Sequence, residues 1–471
     1  MVNPDQPTET EVRASQRKRR IILLAVGLVV LLLGLIPAKH FANQRRDKAA
    51  VQQALDRIRA AGQPVTGREL LARRPNLPPE RNWRLAVEPL LTNRLQIVAW
   101  ELLRSNAPAE VALAALGSDC ASNAPAVAML LRTDLTDMGW RESGPADPDN
   151  VFSYQVPSIF QNMVLTKALG EQAAYEVAAG RPDQATTALV KSFAVAHVGN
   201  PGFIGFVGDS ACELFALQAL EMALNRGVFA DADLLRLARA LPRRATNALQ
   251  AAVVAERVGA IWACEFARDH PIQYRYSQFN APITGPAPRG LIGQIWAAGQ
   301  QLVAVGRQVI YRPGDFLALL DRHARREEAS LLPLRERLSS FERADIEMNA
   351  LDRRTTCGAV LRIEVRGFKS LAKEDAVNQV RLGLAHTALA VERWRLAHEG
   401  RLPENLAELV PTYLTAVPAD PFDDQSIRFK HLPQGFVVYS VGLDGTDNSG
   451  KEDPAYGTGD NGYDLTFTIK R

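Results

Sequence analysis

The chain has almost no excess charge of either sign. Its 55 basic and 52 acidic residues leave a net charge of only +3. No broad field is present to recruit nucleic acid, so no nucleic-acid partner is expected. Cysteine is scarce too: Cys120, Cys212, Cys264 and Cys357 are the four. None has another at C-x-x-C spacing, which removes zinc-ribbon and thioredoxin-type chemistry. Buried thiols are one account of them. In an oxidising compartment one or two disulfides could form instead, with no pairing readable from spacing. H-E-x-x-H, G-x-S-x-G, the P-loop and G-x-G-x-x-G are all missing, and with them the common signatures of metalloproteases, serine hydrolases, nucleotidases and dinucleotide enzymes. A non-enzymatic protein is the expectation.

What the chain does have is one long apolar run. Residues 21 to 38 read IILLAVGLVVLLLGLIPA without a charge, about enough to cross the hydrocarbon core of a bilayer. A cleavable signal peptide has a shorter core and small residues before the cut. Here Ile36 occupies the minus-three position relative to a cut after Ala38. The segment from 17 to 40 therefore reads as an uncleaved signal anchor, a single pass through the inner membrane. Arg17, Lys18, Arg19 and Arg20 abut its start, a tighter basic cluster than Lys39, Arg45, Arg46 and Lys48 after it. That bias puts the N-terminus in the cytoplasm and the main domain in the periplasm. Residues 1 to 16 are polar and read as a disordered tail.

A length of 471 residues suggests two or three domains. Residues 41 to 150 read as a helical lead-in, with helix over 52 to 71 and 84 to 115, Trp100, Leu102 and Leu103 as apolar anchors, and breaks at RRPNLPPERN and RESGPADPDN. Residues 151 to 370 form the helical domain. Leu165, Leu169 and Ala173 recur at helical spacing. Gly180 then suits a helix C-cap, and Pro182 suits the first position of the next helix. The hairpin AAGRPDQATTALVKSFAVA is of the tetratricopeptide sort, although no regular period repeats it, and an ordinary antiparallel pair explains it equally well. Further helices are expected at 208 to 226, 231 to 241, 244 to 268, 291 to 309, 314 to 327 and 330 to 350, with a long irregular loop at 270 to 290. The whole is expected to be mostly α.

Residues 371 to 471 have another texture. A long amphipathic helix over 372 to 399 carries Leu382, Ala385, Leu389 and Leu396 on one stripe and stops at Gly400. Strand-like runs follow at 426 to 430, 436 to 441 and 465 to 469. A helix packed on a short antiparallel sheet is the economical α+β arrangement. The matching residues are Gly400, Pro403, Leu406, Leu409, Tyr413, Leu414, Val417, Pro418, Asp420, Pro421 and Phe422, then Tyr439, Ser440, Gly442, Asp444 and Gly445. In this order they resemble the globular domain of type II secretion major pseudopilins, over residues 380 to 470. Residues 150 to 370 also resemble helical, membrane-anchored proteins of planctomycetes and verrucomicrobia that join such a region to this kind of tail. The chain departs from true pseudopilins at its start: Arg20 precedes the apolar run and no Glu lies inside it. Prepilin processing is therefore not expected.

The resemblance implies calcium in the loop after the Ser-x-Gly-x-Asp-Gly turn. The equivalent residues are Asp444, Asp447, Asp453, Asp460 and Asp464. Calcium takes six to eight oxygens from a pliable chain, and the glycines of this loop supply pliability. The alternative is a solvated acidic loop with Asp and Asn in turn positions. Elsewhere, Glu256 stands beside Arg257 in an apolar helix, where a structural ion pair competes with a functional carboxylate. Two functions follow. One is a membrane-anchored envelope scaffold with a calcium-stabilised C-terminal module, an envelope protein partner and a connection to secretion. The other is an envelope hydrolase with its site near Glu256 and His270.

Overall fold

The computed structural model describes residues 48–73, 82, 95–105, 107–135, 157–196, 202–242, 248–269, 313–349, 368–454, 459 and 462–470. The expected anchor at 21 to 38, the tail before it, the loop at 270 to 290 and the helix at 291 to 309 lie outside these residues. Among the described residues no helix is long and apolar enough to cross a membrane.

Those residues are mostly helical, with a three-stranded antiparallel sheet near the C-terminus. Helix α1 covers 48–60. Helix α2 (Gly67–Ala72) opens on a capping box: the Thr66 hydroxyl accepts from the Glu69 amide at 3.1 Å, and the Glu69 carboxylate accepts from the amides of Val65 and Thr66. These bonds satisfy donors that a helix start leaves open. Val51, Leu55 and Val65 then bury against Ala260, Ile261, Phe316 and Leu319, which lie on α9 (Ala248–Asp269) and α10 (Pro313–Ser330).

The helix expected over 52 to 71 is broken between Ala61 and Thr66, where Gly62 sits at φ +72°. Helices α3 (Val98–Arg104) and α4 (Ala109–Arg132) correct a second expectation. The run from 84 to 115 is not one helix. Described helix ends at Arg104, and the chain turns at Ser105 before α4 starts after Pro108. Helix α4 then continues to Arg132 through Pro125, which is exposed and costs the helix one backbone hydrogen bond.

Helices α5 (Pro157–Ala178) and α6 (Pro182–Ala196) form the expected hairpin. Gly180 sits at φ +72°, and Arg181 donates its amide to the Glu176 carbonyl at 2.8 Å, closing the first helix. Helix α7 (Gly202–Arg226) crosses α5 where both are narrow. A Cβ added to Gly170 would stand 2.8 Å from the Ala219 Cβ and 2.8 Å from the Trp100 ring. Helix α8 (Asp231–Ala240) buries Leu234 and Leu237 against the same cluster. Helix α11 (Leu334–Asn349) ties α10 to the last helix, α12 (Phe368–Ala397). Arg326 meets Asp345 at 2.7 Å on one side, and Arg337 meets Asp375 on the other.

The sheet is ordered β1-β2-β3, with β1 Arg428–Leu432, β2 Gly435–Ser440 and β3 Leu465–Lys470. Pairing is antiparallel, with Phe429 opposite Val438 and Val438 opposite Phe467. Phe436, Val438, Phe467 and Ile469 share one buried cluster with Leu382, Ala385, Ala388 and Leu389 of α12. Full burial of each of these large apolar side chains contributes roughly 1.5–3 kcal/mol. The cluster does not stop at α12. It runs on through Ala216 and Leu220 of α7 to Leu189 and Phe193 of α6 and to Trp100. The last helix and the sheet thus bury their apolar faces jointly with the preceding helices.

Candidate functional site

The residues singled out in the C-terminal module gather round Asp420 and the loop after β2. Asp420 is fully buried. Its Oδ1 accepts from the Phe422 amide at 3.1 Å and the Ser440 hydroxyl at 3.0 Å. Its Oδ2 accepts from the Val441 amide at 3.0 Å and from Arg428 at 3.1 Å. Burial pushes its carboxyl above the ordinary value, with the Phe422 and Val441 amides and the Ser440 hydroxyl pulling the other way. Arg428 projects from the edge strand β1 and reaches three carboxylates at once: Asp420, Asp423 and Asp447. Its bond to Asp423 is the largest cause holding that carboxyl below the usual range.

The loop between β2 and β3 is closed by backbone approach. Gly442, at φ +71°, lies so near Gly459 that a Cβ would stand 2.4 Å from the Gly459 carbonyl oxygen. Only glycine fits there. The Asp444 amide donates to that same carbonyl at 3.2 Å. Four of the five candidate ligands are described. Asp444 is exposed and accepts from the Thr446 amide at 2.8 Å and the Gly462 amide at 3.4 Å. Asp447, also exposed, accepts from the Ser449 amide at 2.8 Å and from Arg428 at 3.2 Å. Asp453 is half-buried. Asp464 is buried and accepts from the amides of Asn448 and Gly450, at 3.2 and 2.7 Å. Asp460 lies outside the described residues. Among those residues no three His, Cys, Asp or Glu side chains gather as a metal-holding group. Asp444 and Asp447 form Asx turns with the amides two residues on, whereas Asp464 accepts from amides 16 and 14 positions before it and so ties the two ends of the loop.

Glu256 is half-buried on α9, whereas its neighbour Arg257 is buried and pairs with Glu327 of α10. Arg257 also donates to the Pro64 carbonyl at 3.0 Å. Arg257 thereby joins α9 to α10 and to the turn before α2. His270 lies outside the described residues. Cys120, Cys212 and Cys264 are all buried thiols, and burial pushes those of Cys120 and Cys212 up to about 12.

A second polar concentration has no motif to announce it. The backbone of residues 96 to 100 is held by side chains of α4 and α5. Asn123 accepts from the Gln96 amide at 2.9 Å and donates to its carbonyl at 2.5 Å. Asp119 accepts from the Ala99 amide at 2.7 Å, and Glu171 from the Trp100 amide at 2.7 Å. These two amides belong to the first turn of α3, where helical donors have no partner of their own. Glu171 is fully buried, and its Oε2 has no hydrogen-bond partner. The i, i+4 spacing of Asp119 and Asn123 is the only trace of this clamp in sequence.

No protein-family model, curated protein or solved structure matches the chain.

Proposed function

We propose that this chain is a non-enzymatic scaffold of a bacterial envelope, held by the apolar segment at 21 to 38, with the body on the periplasmic side. The observation that carries the reading is the single apolar cluster running from Trp100 through α6, α7 and α12 into the sheet. Such a body suits the role of a support, because separating its elements exposes apolar surface to water. The exported orientation rests on the basic run at 17 to 20. The C-terminal module, residues 371 to 471, is the part offered to an envelope partner, and the resemblance to pseudopilins connects that partner to secretion. Calcium belongs to the proposal as one ion held in the loop of Asp444, Asp447, Asp453, Asp460 and Asp464, with loop carbonyls completing its oxygens. The hydrolase alternative gains no support from Glu256, whose helix places its buried ion pair on Arg257.

In-cell crosslinking of the anchored protein, read by mass spectrometry, tests the scaffold role. A scaffold gives reproducible crosslinks from residues 371 to 471 to one or a few envelope proteins. Crosslinks spread evenly over abundant bystanders would contradict it.

A further inference from the structure

The clamp on residues 96 to 100 places two carboxylates, Asp119 and Glu171, against adjacent amides inside the body. Trp100 follows directly. Its ring is fully buried, edge-on to Phe215 at 5.9 Å and pressed against Gly170. The segment is thus a plug, gripped at its backbone and seated by one large side chain. We propose that this grip is controlled by protons: α4 and α5 hold residues 96 to 100 tightly while Glu171 is protonated, and loosen when that proton leaves.

The groups facing Glu171 set the sign. From α4 come Asp119 and the thiol of Cys120. From its own helix comes Lys167, and from α3 come Glu101 and Arg104, both of which act on Lys167. The buried face of α6 carries no ionisable group. Helix α7 presents Phe215 and Ala219 there, and its buried Cys212 lies further back along the helix of Glu171, beside Thr166, with the buried Glu213 next to it. Two influences favour an ionised Glu171, the Trp100 amide and Lys167. Lys167 is a weak counterion because its ammonium lies 3.7 Å from Glu101 and sits over the Phe215 ring at 4.3 Å. Burial and the nearby Asp119 outweigh them, and Glu171 is pushed up to about 8. In water a Glu carboxyl has the ordinary value of 4.5, so any opening that exposes Glu171 lowers its affinity for the proton. The closed state therefore binds the proton more tightly. The grip is strongest below the ordinary value and weakens as pH rises to about 8, beyond which it is constant.

Hydrogen exchange of the full-length protein, followed in peptides covering 96 to 104 and expressed as protection factors, reads the grip directly. In the wild type, protection should fall by up to about tenfold per pH unit between pH 5 and 8, then level off. Glu171→Gln keeps an acceptor for the Trp100 amide and cannot ionise, so its protection should be high and flat. Asp119→Asn removes the neighbouring charge and should bring the plateau to lower pH. A flat wild-type profile, or a Glu171→Gln profile as steep as wild type, overturns the proposal. If Glu171→Gln does not fold, Asp119→Asn decides alone, and an unmoved plateau overturns it.

Discussion

The Oε1 of Glu221, on α7, accepts a 2.6 Å hydrogen bond from the amide of Thr468, a residue 247 positions away on β3. One turn along α7, Asn225 donates to the Thr468 carbonyl at 2.8 Å and accepts from the Lys470 amide at 2.5 Å. β3 is an edge of the sheet, and an open edge is a template for unwanted pairing. Two side chains at helical i, i+4 spacing take the place of a fourth strand.

Removing them should weaken the whole body. Glu221→Ala leaves the buried Thr468 amide without this acceptor, at a cost of about 1–3 kcal/mol. Glu221→Gln retains an acceptor and should cost less. Asn225→Ala should destabilise and also promote self-association through the uncovered edge. Urea unfolding of the full chain and light scattering check these outcomes. Full stability with no association in both alanine variants would contradict the role of this pair.

Arg428 gives a pH-dependent prediction. The folded-state value of Asp423 is lowered by its bond to Arg428, so that contribution is present above the ordinary value of 3.8 and is lost as pH falls through the folded value. Asp420 has the opposite sign. Burial raises its value, so its contribution is complete below 3.8 and is lost as pH rises through the folded value. Arg428→Gln withdraws the cation from both. It should cost about 1–3 kcal/mol at neutral pH, because a buried carboxylate loses a charged donor. The gap from wild type should shrink as the carboxylates are protonated. Denaturant unfolding at neutral pH and near pH 3 measures it, and a gap independent of pH would contradict this account.

These cases mark what was legible in the sequence. The hairpin at Gly180 and Pro182, the long helix ending before Gly400 and the three strands were readable, because local turn chemistry and periodicity specify them. The clamp of Asp119 and Glu171 and the Glu221–Thr468 bond were not, because each joins residues far apart in sequence and depends on the fold for its meaning. Helix α4 was hidden beyond 115 by Pro125, a helix breaker tolerated here on an exposed face. Glu256 drew attention by its apolar surroundings, yet one residue is 100° of helix. That rotation put Arg257 in the interior and left Glu256 half-buried. The acidic loop was legible as a loop, but not that Arg428 would reach into it from β1.

Calcium should stabilise the full-length protein if the loop from Asp444 to Asp464 holds it. A ligand that binds only the folded state adds about 2.7 kcal/mol at a hundredfold excess over its dissociation constant. Thermal unfolding with calcium and with chelator should differ, and Asp444→Asn and Asp453→Asn should each shrink the difference. Asp464→Ala should lower stability in both conditions, because it strips the Asn448 and Gly450 amides of their acceptor. Magnesium should substitute poorly, since it demands a tighter octahedral shell. Identical wild-type unfolding in both conditions would leave the loop held by its hydrogen bonds alone.

The central claim is that the body is an exported, anchored one, and a reporter fused after Arg471 tests it most directly. The basic run at 17 to 20 and the apolar segment at 21 to 38 predict activity only in the exported compartment, with the product retained in the membrane fraction and its N-terminus intact. Reporter activity in the cytoplasm, or a mature N-terminus at or beyond Lys39, would contradict it.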